Sequence, residues 1–154
     1  MKIFFDTEFI EDGKTIDLIS IGMVREGGET YYAISSEFDQ SKANDWVKKN
    51  VLAKLEKDVK RKTKKVIAKE ILEFVGEEPE FWAYYADYDH VVLCQLYGTM
   101  MDLPDGWPMF TMDLKQLLMS LGNPSIKKQN ESQAHNALID AEWVKKSYEY
   151  LKSL

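Results

Sequence analysis

Apolar residues open the chain in three short runs, Ile3 to Phe5, Leu18 to Val24 and Tyr31 to Ile34. Asp12-Gly13 and Gly27-Gly28 fall between the runs as turn-forming pairs, so residues 1–36 predict a three-stranded antiparallel meander. The spacing then changes. From Asn44, a good N-cap, Val47, Val51, Leu55 and Val59 recur every four residues and predict a helix with one narrow apolar face. Val66, Ile67, Ile71, Leu72, Phe74 and Val75 make a broader stripe, predicting a second helix from about Thr63 to Val75 that stops at Gly76. Glu80-Phe81-Trp82-Ala83-Tyr84-Tyr85 is too aromatic and too uninterrupted for a half-exposed segment and reads as a buried central strand. Val91, Val92, Leu93, Leu96 and Tyr97 return to helical spacing as far as Gly98, and a further helix is expected from about Asp113, its N-cap, to Leu121. The polar stretch from Gly122 to Ala134 reads as a mobile surface loop. A last helix of roughly fifteen residues buries Leu138, Ala141, Val144, Tyr148 and Leu151.

Strands first, then helices alternating with strands, describe one mixed α/β domain over residues 1–154. Its 45% apolar and 30% charged residues, with only eight glycines and four prolines, exclude a disordered or collagenous chain. G-x-G-x-x-G and G-x-x-x-x-G-K-[ST] are both missing, which argues against dinucleotide and P-loop chemistry. A net charge of -6 rules out a general basic coat, so any nucleic-acid contact must be local. Lys54 to Lys65 concentrates seven basic residues against two acidic ones, either as a solvated face or as a track for a single-stranded phosphate backbone. Cys94 is the single cysteine, so it forms no internal disulfide and no CxxC zinc site, and a reducing cytoplasm is expected. Neither a signal-peptide core nor an apolar run of ~20 residues occurs, so a soluble protein with no membrane partner is expected.

Three acidic groupings remain. Asp6 and Glu8 flank Thr7 at the end of the first strand, where the two-residue period points both carboxylates to one face. Two such acids repel unless a cation lies between them, and hard divalent ions prefer carboxylate oxygens; otherwise they are solvated strand-end acids. Asp87-Tyr88-Asp89-His90 opens a helix, where an aspartate serves as a cap or as a ligand. His135 and Asp140 stand at the start of the last helix, spaced so that both can border one cleft without bonding directly.

Asp6-Thr7-Glu8-Phe9, Tyr88-Asp89 and His135-x4-Asp140 resemble, in order and spacing, the three motifs of the DEDDh 3'-5' exonucleases. More narrowly, Asp6 to Gly13, Leu18 to Gly22, Tyr88 to Leu96 and His135 to Ala141 resemble a small mycobacterial-type family of DEDDh exoribonucleases, and the similarity spans nearly the whole chain. The resemblance implies an RNase H-like exonuclease fold, in which the antiparallel meander is extended by further parallel strands and flanked by helices. It also implies two-metal phosphodiester hydrolysis with Mg²⁺ or Mn²⁺: Asp6 bridging two ions, Glu8 and Asp140 on the side of the attacking water, Asp89 on the leaving-group side, and His135 as general base. Asp89 takes the second motif by its preceding aromatic and its place before Val91 and Val92, with the helix expected to begin near Asp89 and Asp87 left in the turn. The implied substrate is a single-stranded RNA 3' end, released as nucleoside 5'-monophosphates. Phe9 is the candidate to stack at the terminal base, and Lys127 and Lys128 are candidates to grip phosphate. A single-strand DNA exonuclease and a catalytically idle RNase H-like nucleic-acid-binding module are the alternatives, and a homodimer is expected by family analogy.

Overall fold

A computed structural model describes residues 1–154. Strands β1 (Lys2–Glu11), β2 (Ile16–Arg25) and β3 (Thr30–Ile34) form the expected meander. Helices α1 (Asp45–Asn50) and α2 (Lys64–Val75) follow, then β4 (Glu80–Ala83), α3 (Asp87–Gln95), β5 (Met112–Asp113), α4 (Leu114–Ser120) and α5 (Ala137–Ser153). The strands form one sheet in the order β3-β2-β1-β4-β5, antiparallel across β3, β2 and β1 and parallel from β1 through β4 to β5.

Alternation along β1 divides the core. Ile3 and Phe5 point to the layer of α2 and α3, meeting Phe81, Ile67, Ile71, Val75, Val92 and Leu93. Phe4 points to the other face, where Trp82 packs with Leu114 and Leu118 of α4 and Val144 and Leu151 of α5. Each fully buried side chain of this size contributes about 1.5–3 kcal/mol. A core built this way can carry unfavourable polar burial at its edge. Asp6 and Glu8 continue the row of Phe4, which places their carboxylates on the α5 face where the apolar packing ends.

Several elements differ from the sequence reading. The helix after Asn44 stops at Asn50 and passes into a 3₁₀ turn at Leu52–Lys54, so Val51 is buried while Leu55 and Val59 are only half-buried. Further on, after turns, Lys62 bridges to Ser35, donating its N–H to Ile34 (2.8 Å) and accepting that of Ser36 (2.8 Å). On α2, Ile67, Ile71 and Val75 are buried whereas Val66 and Leu72 face solvent. The aromatic strand ends at Ala83, because Tyr85 turns into the left-handed region at φ 53°. α3 begins at Asp87, two residues earlier than expected, and Asp87 is its first residue rather than part of the turn. Asp113 caps α4 as expected, accepting the Lys115 N–H at 2.7 Å, and it also pairs with Ala83 in a two-residue strand too short to show as a pattern. Leu138 and Tyr148 are half-buried on α5, while Ala137, Ala141, Val144 and Leu151 are buried. Trp143 Nε1 donates to the Lys127 carbonyl at 2.7 Å, pinning the 122–134 loop to that helix. No helix is long and apolar enough to cross a membrane.

Candidate active site

β4 pairs with β1 only through Phe4, so the second half of β1 runs past its neighbour. Beyond that point lies a crevice at the carboxyl ends of two adjacent parallel strands, where open α/β sheets place ligands. The Thr7 N–H, without a β4 partner, donates to Asp89 Oδ1 at 3.0 Å, and the Thr7 hydroxyl donates to the same oxygen. Asp89 sits in the first turn of α3, where a carboxylate also gains from the helix dipole. That turn is held from below, since Asp113 accepts the Tyr85 and Ala86 N–H groups at 3.1 Å each.

On the other side of β1, Asp6 lies opposite Gly22 and Glu8 opposite Ser20. A Cβ on Gly22 would stand 2.3 Å from the Leu138 nitrogen and 2.5 Å from the Ala137 carbonyl carbon. Only glycine lets α5 begin this close to the sheet, and that approach delivers Asp140. One ligand atom each from Glu8, His135 and Asp140 lies within 4.8 Å of the others. His135 has a left-handed backbone, φ 69°, and donates its N–H to Asp140 Oδ2 at 3.0 Å. The two residues are therefore bonded directly, through the main chain, contrary to the sequence expectation. Gln129 Nε2 donates to Asp140 Oδ1 at 2.8 Å, and the Trp46 ring packs edge-on against the His135 imidazole at 4.8 Å. Asn136 caps α5 through the Leu138 and Ile139 N–H groups and donates from Nδ2 to Glu56 at 2.6 Å.

Asp6, Glu8, Asp89, Gln129, His135 and Asp140 border a cleft of about 780 Å³. No lysine or arginine lines it. Burial first, and then Asp89, Glu8 and Asp140, push the Asp6 carboxyl well above the usual range. Glu8 is pushed up to about 9 by burial and then by Asp140 and Asp89. Burial raises Asp89 to about 7 against the opposing pull of the Thr7 hydrogen bonds, and raises Asp140 to about 6 against the His135 N–H. Asp6 Oδ2 is buried without any hydrogen-bond partner. Four crowded carboxyls, one with an orphaned oxygen and none with a cationic side chain beside it, are the environment a hard divalent cation relieves. The oxygen-rich donor set with one imidazole fits Mg²⁺ or Mn²⁺ and lacks the thiolates of a structural zinc site. Burial and then the Lys54 charge depress the His135 pKa, so its ring is neutral near pH 7.

The cleft thus brings together Asp6, Glu8, Asp89, Asp140 and His135, with Phe9 at its wall, edge-on to Tyr88 at 5.8 Å. Asp87 is exposed and also borders it. Lys127 and Lys128 are exposed and do not line it. The loop turns Gln129 inward instead. Within the basic run, Lys62 pairs with Glu70 at 2.8 Å, Lys64 pairs with Asp17, and Arg61 lies over the Phe38 ring. Trp46, Tyr84, Tyr85 and Gln129 line the cleft and escaped the sequence reading. Trp46 falls out of phase with Val47 and Val51, the one local sign that it serves a different surface.

The family described as the 3'-5' exoribonuclease Rv2179c-like domain matches residues 1–152. The 3'-5' exoribonuclease Rv2179c of Mycobacterium tuberculosis strain H37Rv is 44% identical over 147 residues, covering 92% of this chain and 87% of the relative. The 3'-5' exoribonuclease MT2234.1 of strain CDC 1551 matches with the same figures. Among solved structures, exonuclease I superposes with a TM-score of 0.70 at 14% identity, over 99% of this chain and 40% of that one. This chain therefore spans well under half the length of exonuclease I. A chain of the yeast NOT1 MIF4G domain–CAF1 structure gives a TM-score of 0.56 at 13% identity, over 99% of this chain and 79% of that one. At such identities the likeness establishes the fold, which is the RNase H-like exonuclease architecture.

Proposed function

The chain belongs to the Rv2179c-like 3'-5' exoribonuclease family, and on that premise we propose that its cleft hydrolyses the last phosphodiester of single-stranded RNA, using two divalent ions. The convergence of four carboxyls from three chain segments around the orphaned Asp6 Oδ2 carries this reading. Asp6, which feels the charges of Glu8, Asp89 and Asp140, would be held in common by the two ions, with Glu8 and Asp140 completing one set and Asp89 the other. When bound, such ions supply activation of water and neutralisation of charge at the phosphoryl group and the leaving oxygen.

The chain's own residues supply the rest. His135, neutral near pH 7, accepts the proton of the attacking water at a ring nitrogen. Its position is held by the N–H contact to Asp140 and by the edge of Trp46. The water oxygen bonds to phosphorus as the bond from phosphorus to the 3' oxygen breaks; that oxygen takes a proton from solvent, leaving a 3'-hydroxyl on the shortened strand and a nucleoside 5'-monophosphate. Thr7 holds Asp89 in place, and Phe9 offers an apolar face to the terminal base. All five ionisable groups are present and converge, which speaks against an idle binding module.

Incubating 5'-labelled single-stranded RNA and DNA with Mg²⁺, Mn²⁺ or EDTA tests the proposal. RNA shortened stepwise from its 3' end only with metal is the expected result. Preferential degradation of DNA would move the assignment to the single-strand DNA exonuclease, and no degradation of either would remove it.

A further inference from the structure

Tyr85 is a bulky residue in the left-handed backbone region, φ 53°, at the point where β4 becomes α3. Side chains with a Cβ avoid that region, and such strain concentrates at binding sites. Tyr85 is 62% exposed, so burial does not explain the conformation. What holds it is polar: Asp113 accepts the Tyr85 and Ala86 N–H groups at 3.1 Å each and is itself anchored opposite Ala83 in the sheet. The ring is braced edge-on by Tyr84 at 4.5 Å, and Tyr84 by Trp143 at 5.1 Å. This row stands on the wall of the cleft that carries the exposed carboxylate of Asp87 and no cation. That wall repels phosphate and offers aromatic faces.

The geometry points to Tyr85 as a base-stacking residue, presented by Asp113, that takes a nucleobase of the RNA strand as it enters the cleft. The assignment rests on the single-strand RNA reading above. Stacking of one base on an aromatic ring is sequence-tolerant, so Tyr85 sets affinity rather than base identity.

The test is anisotropy of a 5'-labelled single-stranded RNA with phosphorothioate linkages at its 3' end, together with quenching of 2-aminopurine placed near that end. Tyr85→Ala is expected to weaken binding roughly tenfold and to lose quenching. On unmodified RNA it should raise KM while leaving kcat within about twofold of wild type, since stacking acts on substrate binding. Tyr85→Phe should match wild type in each assay. Tyr85→Gly should bind as weakly as Tyr85→Ala yet melt no lower than wild type, because glycine adopts positive φ without strain. Wild-type affinity and quenching in Tyr85→Ala, or a loss in Tyr85→Phe equal to that in Tyr85→Ala, would overturn the assignment. Failure of the wild-type protein itself to bind the RNA would overturn the reading beneath it and this assignment together.

Discussion

Asp87 and Asp89 stand two residues apart on one helix, and their surroundings separate their work. Asp89 is buried and takes two hydrogen bonds from Thr7, whereas Asp87 is exposed at the mouth of the cleft. Asp89→Asn keeps the shape and removes the charge a metal ligand needs, so it is expected to cut turnover by orders of magnitude with little effect on folding. Asp87→Asn should keep most of the activity. Single-turnover hydrolysis of a short RNA at saturating metal, with thermal melts as the folding control, checks both; severe loss in Asp87→Asn with near-normal rates in Asp89→Asn would reverse the roles. Asp6→Ala should abolish hydrolysis without lowering the melting temperature in chelator, because it removes a buried, repelled carboxyl with an unpaired oxygen. The shared face of Asp6 and Glu8 was legible from strand period alone. The main-chain bond between His135 and Asp140 was not, since it depends on a left-handed His135 that no local pattern announces.

At the scale of elements, the approach of α5 to β2 decides whether Asp140 reaches Glu8. Gly22→Ala forces a Cβ against the α5 backbone, which cannot move aside like a flexible side chain. Overpacking of this kind costs about 1–3 kcal/mol or more, and the activity loss should exceed what reduced folding explains; urea unfolding beside single-turnover rates measures both. The basic segment offers a second test. Lys57 and Lys60 are exposed and form no ion pair, unlike Lys62 and Lys64. Reversing their charges should weaken RNA binding and flatten its salt dependence; an unchanged slope would make the segment a solvated surface. Helix α2 was readable from its Thr63 cap and Gly76 stop because both signals are local. The end of α1 was not, because the four-residue apolar spacing runs on through Val51, Leu55 and Val59 while the chain passes into a 3₁₀ turn at Leu52–Lys54. Tyr84 and Tyr85 looked like strand because Asp113, which turns the chain there, lies 28 residues beyond Tyr85.

The molecule as a whole trades stability for its cleft. Folded carboxyls with raised pKa values hold protons that the unfolded chain has already released, so the stability these cleft groups contribute is fully present only below the ordinary carboxylate range. It falls as pH rises through about 6 for Asp140, about 7 for Asp89 and about 9 for Glu8. In chelator, the melting temperature should therefore drop between about pH 5 and about pH 9, and Mg²⁺ or Mn²⁺ should restore it more at the alkaline end. A melting temperature in chelator that stays flat or rises over that range would contradict this. The most direct measurement of the central claim is the single-turnover rate of 3' nucleotide release from single-stranded RNA as Mg²⁺ is titrated into metal-stripped wild-type protein and into Asp6→Ala. The wild-type rate is expected to climb from nothing to a plateau, with nucleoside 5'-monophosphate as product, while Asp6→Ala stays flat. Full activity in stripped wild-type protein, or an Asp6→Ala curve that follows the wild type, would contradict the account.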